Sequence, residues 1–191
     1  MKKAIICLIF LTLVCAHQAN AFNGRRKGFV LGLGAGFGPI ANNSTESPKF
    51  KNFKNNGLAS SFLIGHGWYN KSLIALYFEG ITYEESLSHI VEYSRGKVDV
   101  VQGFAGLAFF QYVRAHAPSP FFMFGAGFQE WITNNKEFGS NNAGIGFLFG
   151  GGYEFARHFQ AYASLGVGYT TRDRSKFNHV QLILGLSAIA Y

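Results

Sequence analysis

Lys and Arg are missing from eight segments that make up most of the chain beyond residue 27, and this absence limits the fold more than any motif does. The segments are Gly28–Gly38, Leu58–Tyr69, Ser72–Tyr83, Val98–Val113, Phe121–Ile132, Gly144–Phe155, Phe159–Thr171 and His179–Tyr191. Of the 17 Lys and Arg, Lys2 and Lys3 stand near the start and all the others also lie outside the segments; the only acids inside them are Glu79, Asp99, Glu130 and Glu154. Three segments alternate with period two, the signature of a strand. In Gly28–Gly38 the set Phe29, Leu31, Leu33, Ala35 and Phe37 opposes Val30, Gly32, Gly34, Gly36 and Gly38. In Gly144–Phe155, Ile145, Phe147, Phe149, Tyr153 and Phe155 share one face; in Phe159–Thr171, Phe159, Leu165, Val167 and Tyr169 oppose Gln160, Tyr162, Ser164 and Thr170. The other five carry apolar residues on both faces. A water-facing strand surface would collect Lys and Arg. Their exclusion predicts an outward face in hydrocarbon, where either residue at mid-depth costs about 2–4 kcal/mol.

The first 21 residues read as an export signal. Lys2 and Lys3 precede an apolar run from Ala4 to Val14, and Ala19-Asn20-Ala21 supplies a small-x-small cleavage site. The run is shorter than the roughly 20 residues needed to span a bilayer as a helix. The mature chain is expected to start at Phe22, with residues 22–27 a short periplasmic segment and residues 28–191 the folded unit. Cys7 and Cys15, the only cysteines, both lie in the signal, so no disulfide or Cys-ligated metal is expected after cleavage.

Connections between the segments alternate in length. Pro39–Gly57, Glu84–Lys97 and Thr133–Ala143 are long; Asn70-Lys71, Arg114–Pro120 and Ala156–His158 are short; Arg172–Asn178 closes the series. Long external loops and short periplasmic turns build outer-membrane barrels in this way. Aromatic residues near segment ends, such as Phe29, Phe37, Trp68, Tyr83 and Tyr169, suit two interfacial girdles. The predicted fold is all-β: an eight-stranded antiparallel up-and-down transmembrane β-barrel in the outer membrane of a bacterium. The net charge of +7 is scattered rather than gathered on one face, so no nucleic acid partner is expected.

The pattern resembles the small eight-stranded outer-membrane barrels of the OmpA-transmembrane, OmpX/Ail and opacity-protein type. The resemblance is carried by the hairpin Gly150–Phe155 with Phe159–Ala163, and by Pro120-Phe-Phe-Met-Phe-Gly-Ala-Gly-Phe128. It implies outer-membrane lipids and lipopolysaccharide as surroundings, and the barrel-assembly machinery as a partner in biogenesis. It also implies that the aromatic Tyr191 acts as a C-terminal assembly signal, although Phe is the commoner ending.

Chemistry-bearing constellations are few. Gly36-Phe-Gly38-Pro-Ile-Ala41 superficially fits a dinucleotide fingerprint, but Pro39 and Asn42-Asn43 announce a loop where that motif needs a helix. Ser88-His89 with Glu84, Glu85 and Glu92 suggests a hydrolase, yet a nucleophile needs its base within hydrogen-bond reach, and adjacent residues on an extended chain point apart. The histidines lack metal-ligand spacing. No catalytic, cofactor or metal site is expected. Glu79, Gln102, Glu154 and Gln160 are expected to form a polar barrel interior. Lys49, Phe50, Lys51, Phe53 and Lys54 form a surface-interaction loop suited to anionic sugars, lipopolysaccharide phosphates or a host or cell-surface ligand. The expected role is structural or adhesin-like. The alternatives are a small-solute channel through the glycine-lined interior and, further off, a lipid A-modifying hydrolase.

Overall fold

The computed structural model describes residues 26–44, 53–86, 97–133, 141–172 and 175–191. Eight strands follow one another: β1 (Gly28–Ser44), β2 (Phe53–Tyr69), β3 (Ser72–Ser86), β4 (Lys97–Tyr112), β5 (Ser119–Thr133), β6 (Asn141–Ala156), β7 (Phe159–Arg172) and β8 (Ser175–Ala190). Each pairs antiparallel with its sequence neighbours, and β1 closes on β8, with Leu31 opposite Ala190 and Ala41 opposite Val180. The predicted eight-stranded antiparallel barrel is the observed fold.

Alternation dictates which side chains face which phase. Outward stand Leu33, Phe128 and Leu186, each more than 60% exposed, in a band continued by Leu107, Phe124, Phe147 and Phe159. Inward stand Val30, Leu63, Tyr77, Phe104, Phe110, Leu148 and Ile183, all buried. The strands with apolar residues on both faces are resolved by this geometry. In β4, Val100, Phe104, Ala108 and Phe110 are buried while Val101 and Leu107 are exposed. Both sets are apolar because eight strands enclose an interior just wide enough to be filled by side chains. Edge-on rings occupy it, with Tyr77 and Phe110 centroids 5.8 Å apart at 76°.

Inward glycines make that packing possible. A Cβ on Gly185 would lie 2.7 Å from the Tyr162 ring, and one on Gly166 would lie 2.8 Å from the Gln181 side chain. The spaces at Gly32 and Gly150 are likewise taken by Leu63 and Met123.

The strands run past the segments marked by hydrophobic alternation. The expected loop Pro39–Gly57 is largely strand: Pro39 pairs with Asn56 and Asn42 with Phe53, which leaves residues 45–52 between β1 and β2. Similar extensions carry β3 to Ser86, β4 back to Lys97, β7 to Arg172 and β8 back to Ser175. Lys54, Lys97, Arg172 and Lys176 therefore lie within strands, contrary to the complete exclusion expected. They occupy the ends farthest from the short turns, where outward residues such as Asn43, Lys54, Asn56 and Glu84 are polar and exposed. Hydrogen-bonded pairing continues beyond the apolar band; what stops is the need for an apolar outer face.

Leu33→Arg puts a cation in the middle of that band, at a cost of about 2–4 kcal/mol in a bilayer. Folded yield in lipid vesicles, read as the fraction of heat-modifiable barrel on a gel, is expected to fall sharply against wild type. Unchanged yield would contradict the facing assigned to β1.

Candidate functional site

Among the described residues the polar side chains turned into the barrel include a mid-barrel cluster, a cluster at the short-turn mouth, a His179 group near the other end and the isolated Gln102. Period two sends Glu79 of β3, Gln102 of β4, Glu154 of β6 and Gln160 of β7 inward, and all four are buried. At mid-barrel the Glu79 carboxylate accepts hydrogen bonds from the Tyr77 hydroxyl and the Ser164 hydroxyl, each at 2.8 Å. Close by, the Tyr162 hydroxyl donates to Ser61 Oγ at 3.1 Å. Gln129 Nε2 donates to Gln181 Oε1 at 3.3 Å. Gln102 is separate: neither its amide nitrogen nor its carbonyl oxygen has a hydrogen-bond partner among the described residues.

The second cluster seals the end that carries the short turns. Arg26 precedes β1, in the segment expected to lie outside the barrel, yet its side chain is buried within the mouth. Its guanidinium makes an ion pair with Glu154 and donates to the carbonyls of Arg114 at 2.8 Å and Asn70 at 3.1 Å. These carbonyls belong to the β4–β5 and β2–β3 turns, so one side chain ties three hairpins together. The guanidinium carbon lies 3.8 Å from the centre of the Tyr112 ring, a cation–π contact. Tyr112 donates to Gln160 Oε1 at 3.0 Å, and the Tyr191 hydroxyl donates to Glu154. Burial lowers the pKa of Arg26, but an arginine stays charged inside proteins, so Glu154 has a permanent partner.

Tyr191, the residue after β8, is buried in line with the inward set Ile189, Ser187 and Ile183; the apolar outward face is Val180, Leu182, Leu184 and Leu186. Its ring packs 4.9 Å from that of His158, whose positive φ of 74° forms the β6–β7 turn. The arginine plug escaped sequence reasoning because Arg25-Arg26-Lys27 resembles any basic flank. The available signal was Glu154: a carboxylate predicted to be inside a narrow barrel requires a cation or several hydrogen-bond donors.

The surface-interaction residues are less completely placed. Lys49, Phe50 and Lys51 lie outside the described residues, as do Ser88 and His89. Phe53 is the first residue of β2, and the Lys54 side chain is exposed on the outward face beside it. His179 is buried near this end, bonded to Asn42 and, at 2.7 Å, to Thr170. Among the described residues no three His, Cys, Asp or Glu gather as a metal site would require.

No protein-family model matches the chain, and no curated protein does. Solved structures share the fold. The neisserial surface protein NspA superposes with a TM-score of 0.52 at 13% identity, over 85% of this chain and 97% of that one. Ail, the attachment invasion locus protein of Yersinia pestis, solved in complex with the heparin analogue sucrose octasulfate, gives 0.51 at 13% identity, over 84% and 99%.

Replacing Arg26 by Met leaves Glu154 buried without its cation, a change that costs about 3–5 kcal/mol. The urea midpoint of the folded barrel is expected to drop accordingly. Because the loss comes from the stranded charge, adding Glu154→Gln to Arg26→Met should recover most of it.

Proposed function

We propose that the chain is a bacterial outer-membrane barrel, exported by a cleaved signal at residues 1–21, whose activity is surface interaction through the connections opposite the short turns. The carrying observation is the division of the barrel wall. An apolar outer band gives way to a run of polar outward residues at the end with the long connections, among them Asn43, Lys54, Asn56 and Glu84, while the interior is packed and its other mouth is closed by Arg26. A filled interior supports binding at the rim over solute passage, since the space at the inward glycines is already taken by side chains. Outer-membrane lipids and lipopolysaccharide surround the wall in this reading, and the barrel-assembly machinery is the partner in biogenesis.

The ligand class follows from charge. Lys49, Lys51 and Lys54 stand close together in sequence with Phe50 and Phe53 between them and Glu46 as the one nearby acid. A cationic stretch with interleaved aromatic residues suits sulfated or phosphorylated sugars, whether on lipopolysaccharide or on a host surface. The Yersinia pestis protein, which shares the fold, was solved with a polysulfated sugar.

Two measurements test this reading. With both native cysteines in the signal, Ser44→Cys supplies a single thiol at the end of β1. A membrane-impermeant maleimide is expected to label it on intact cells. Labelling only after the outer membrane is opened would place the long connections in the periplasm and overturn the proposal. Replacing Lys49, Lys51 and Lys54 together by Ala should weaken binding to an immobilised sulfated polysaccharide about tenfold, at about 0.5 kcal/mol for each exposed pair. The loss should shrink as salt screens the wild-type interaction.

A further inference from the structure

The end of the barrel that carries the short turns is edged with exposed cations. Lys27 stands just before β1, Lys71 in the β2–β3 turn, Arg114 in the β4–β5 turn and Arg157 in the β6–β7 turn, and all four side chains are exposed. Strand order distributes them around the whole rim. Glu154 is the only side-chain acid at this end among the described residues, and it is buried against Arg26. Every other acid of the strands lies at mid-barrel or toward the long connections. Charges that look scattered along the chain are thus gathered by the fold into a positive ring.

The ring lies at the foot of the apolar wall. Each cation adjoins an apolar side chain that is at least partly exposed: Phe29 for Lys27, Tyr69 for Lys71, Val113 for Arg114 and Phe155 for Arg157. Gly28 pairs with Gly67, which sets Lys27 beside Trp68 and Tyr69, 59% and 75% exposed. Exposed Trp and Tyr rings at the edge of an apolar band settle at head-group depth. The turns are also fixed from within. Arg26 donates to the Asn70 and Arg114 carbonyls, and the Tyr112 N–H donates to the Lys71 carbonyl at 2.7 Å.

We propose that this ring binds anionic glycerophospholipids: phosphates of the leaflet on the short-turn side pair with Lys27, Lys71, Arg114 and Arg157, and the acyl chains lie against the wall. The proposal rests on the membrane placement argued above, and it gives the barrel a charged foothold in the leaflet opposite its interaction loops. Direction selects the occupant. A soluble acidic partner would approach along the barrel axis, but Lys27 alternates with the inward Arg26 and points away from that axis. Its stem can follow the apolar wall while its ammonium reaches the phosphate level.

Quenching of Trp68 tests the site on the full chain folded into phosphatidylcholine vesicles. The other tryptophan, Trp131, is buried inside the barrel, so a short-range quencher on a lipid chain reads Trp68. Brominated phosphatidylglycerol is compared with brominated phosphatidylcholine at the same mole fraction. At low salt the anionic lipid is expected to associate about fivefold more strongly, the preference one basic residue near a lipid surface supplies. High salt should shrink that preference. Lys27→Gln combined with Lys71→Gln should bring the two lipids to parity. Equal quenching by both lipids in the wild type, or an unchanged preference in the folded double variant, would overturn the proposal. Equal quenching together with cosedimentation of wild type, but not the variant, with purified peptidoglycan would overturn it in favour of the cell wall. If the double variant fails to fold, the wild-type comparison at low and high salt decides alone. Quenching by neither lipid refutes the membrane placement itself, a result distinct from quenching without selectivity.

Discussion

Closure of β1 on β8 is the constraint on which everything else depends. A strand in hydrocarbon has no water to satisfy its N–H and C=O groups, so every strand needs two neighbours and the sheet cannot have an edge. Once the sheet is closed at eight strands, the interior diameter is set. That diameter forces the exchange of glycine for bulk across the inner face: Tyr162 stands over Gly185, and Gln181 over Gly166. The outer face carries no such demand and is filled with whatever hydrocarbon tolerates.

A narrow interior also makes its polar groups expensive, and the barrel manages them in two ways. Around Glu79 the solution is neutral donors, hydroxyls of Tyr77 and Ser164 turned onto the carboxylate. At the short-turn mouth it is a full cation, with Arg26 drawn in from outside the sheet to meet Glu154. The second arrangement does more than balance charge. Because the same guanidinium binds turn carbonyls of two other hairpins, the plug joins parts of the barrel that the strand ladder alone holds only through neighbours. The function proposed for the rim needs such a platform, since binding loops work best on a rigid support.

Particular residues show how far the sequence reading reached. Phe29 to Phe37, Ile145 to Phe155 and Phe159 to Tyr169 announced both strand and facing, because a two-phase wall writes a period of two into the chain. Glu79, Gln102, Glu154 and Gln160 are expected inside because barrels of this kind have a polar interior, and all four side chains are buried. At Pro39–Gly57 the strands outrun the alternation, because alternation follows the apolar band and not hydrogen bonding: the ladder continues from Pro39 to Asn42. Lys49, Phe50 and Lys51 lie outside the described residues, so the centre of the interaction loop rests on composition.

What the sequence determined alone was the number of strands, their order and the sidedness of the regular ones, since each depends on local alternation and on where charge is forbidden. Tertiary structure decided the rest. That Arg26 would find Glu154, 128 positions away in the chain, depends on which strand ends meet at one mouth, a matter of closure and shear. The same holds for the outer wall. Ser60, Gly80, Gly103 and Glu130 are unremarked in their own segments and become one feature only because the register sets them side by side. Periodicity is a property of a segment, whereas register is a property of pairs of segments, and one residue of slip would have scattered that row across both faces of the wall.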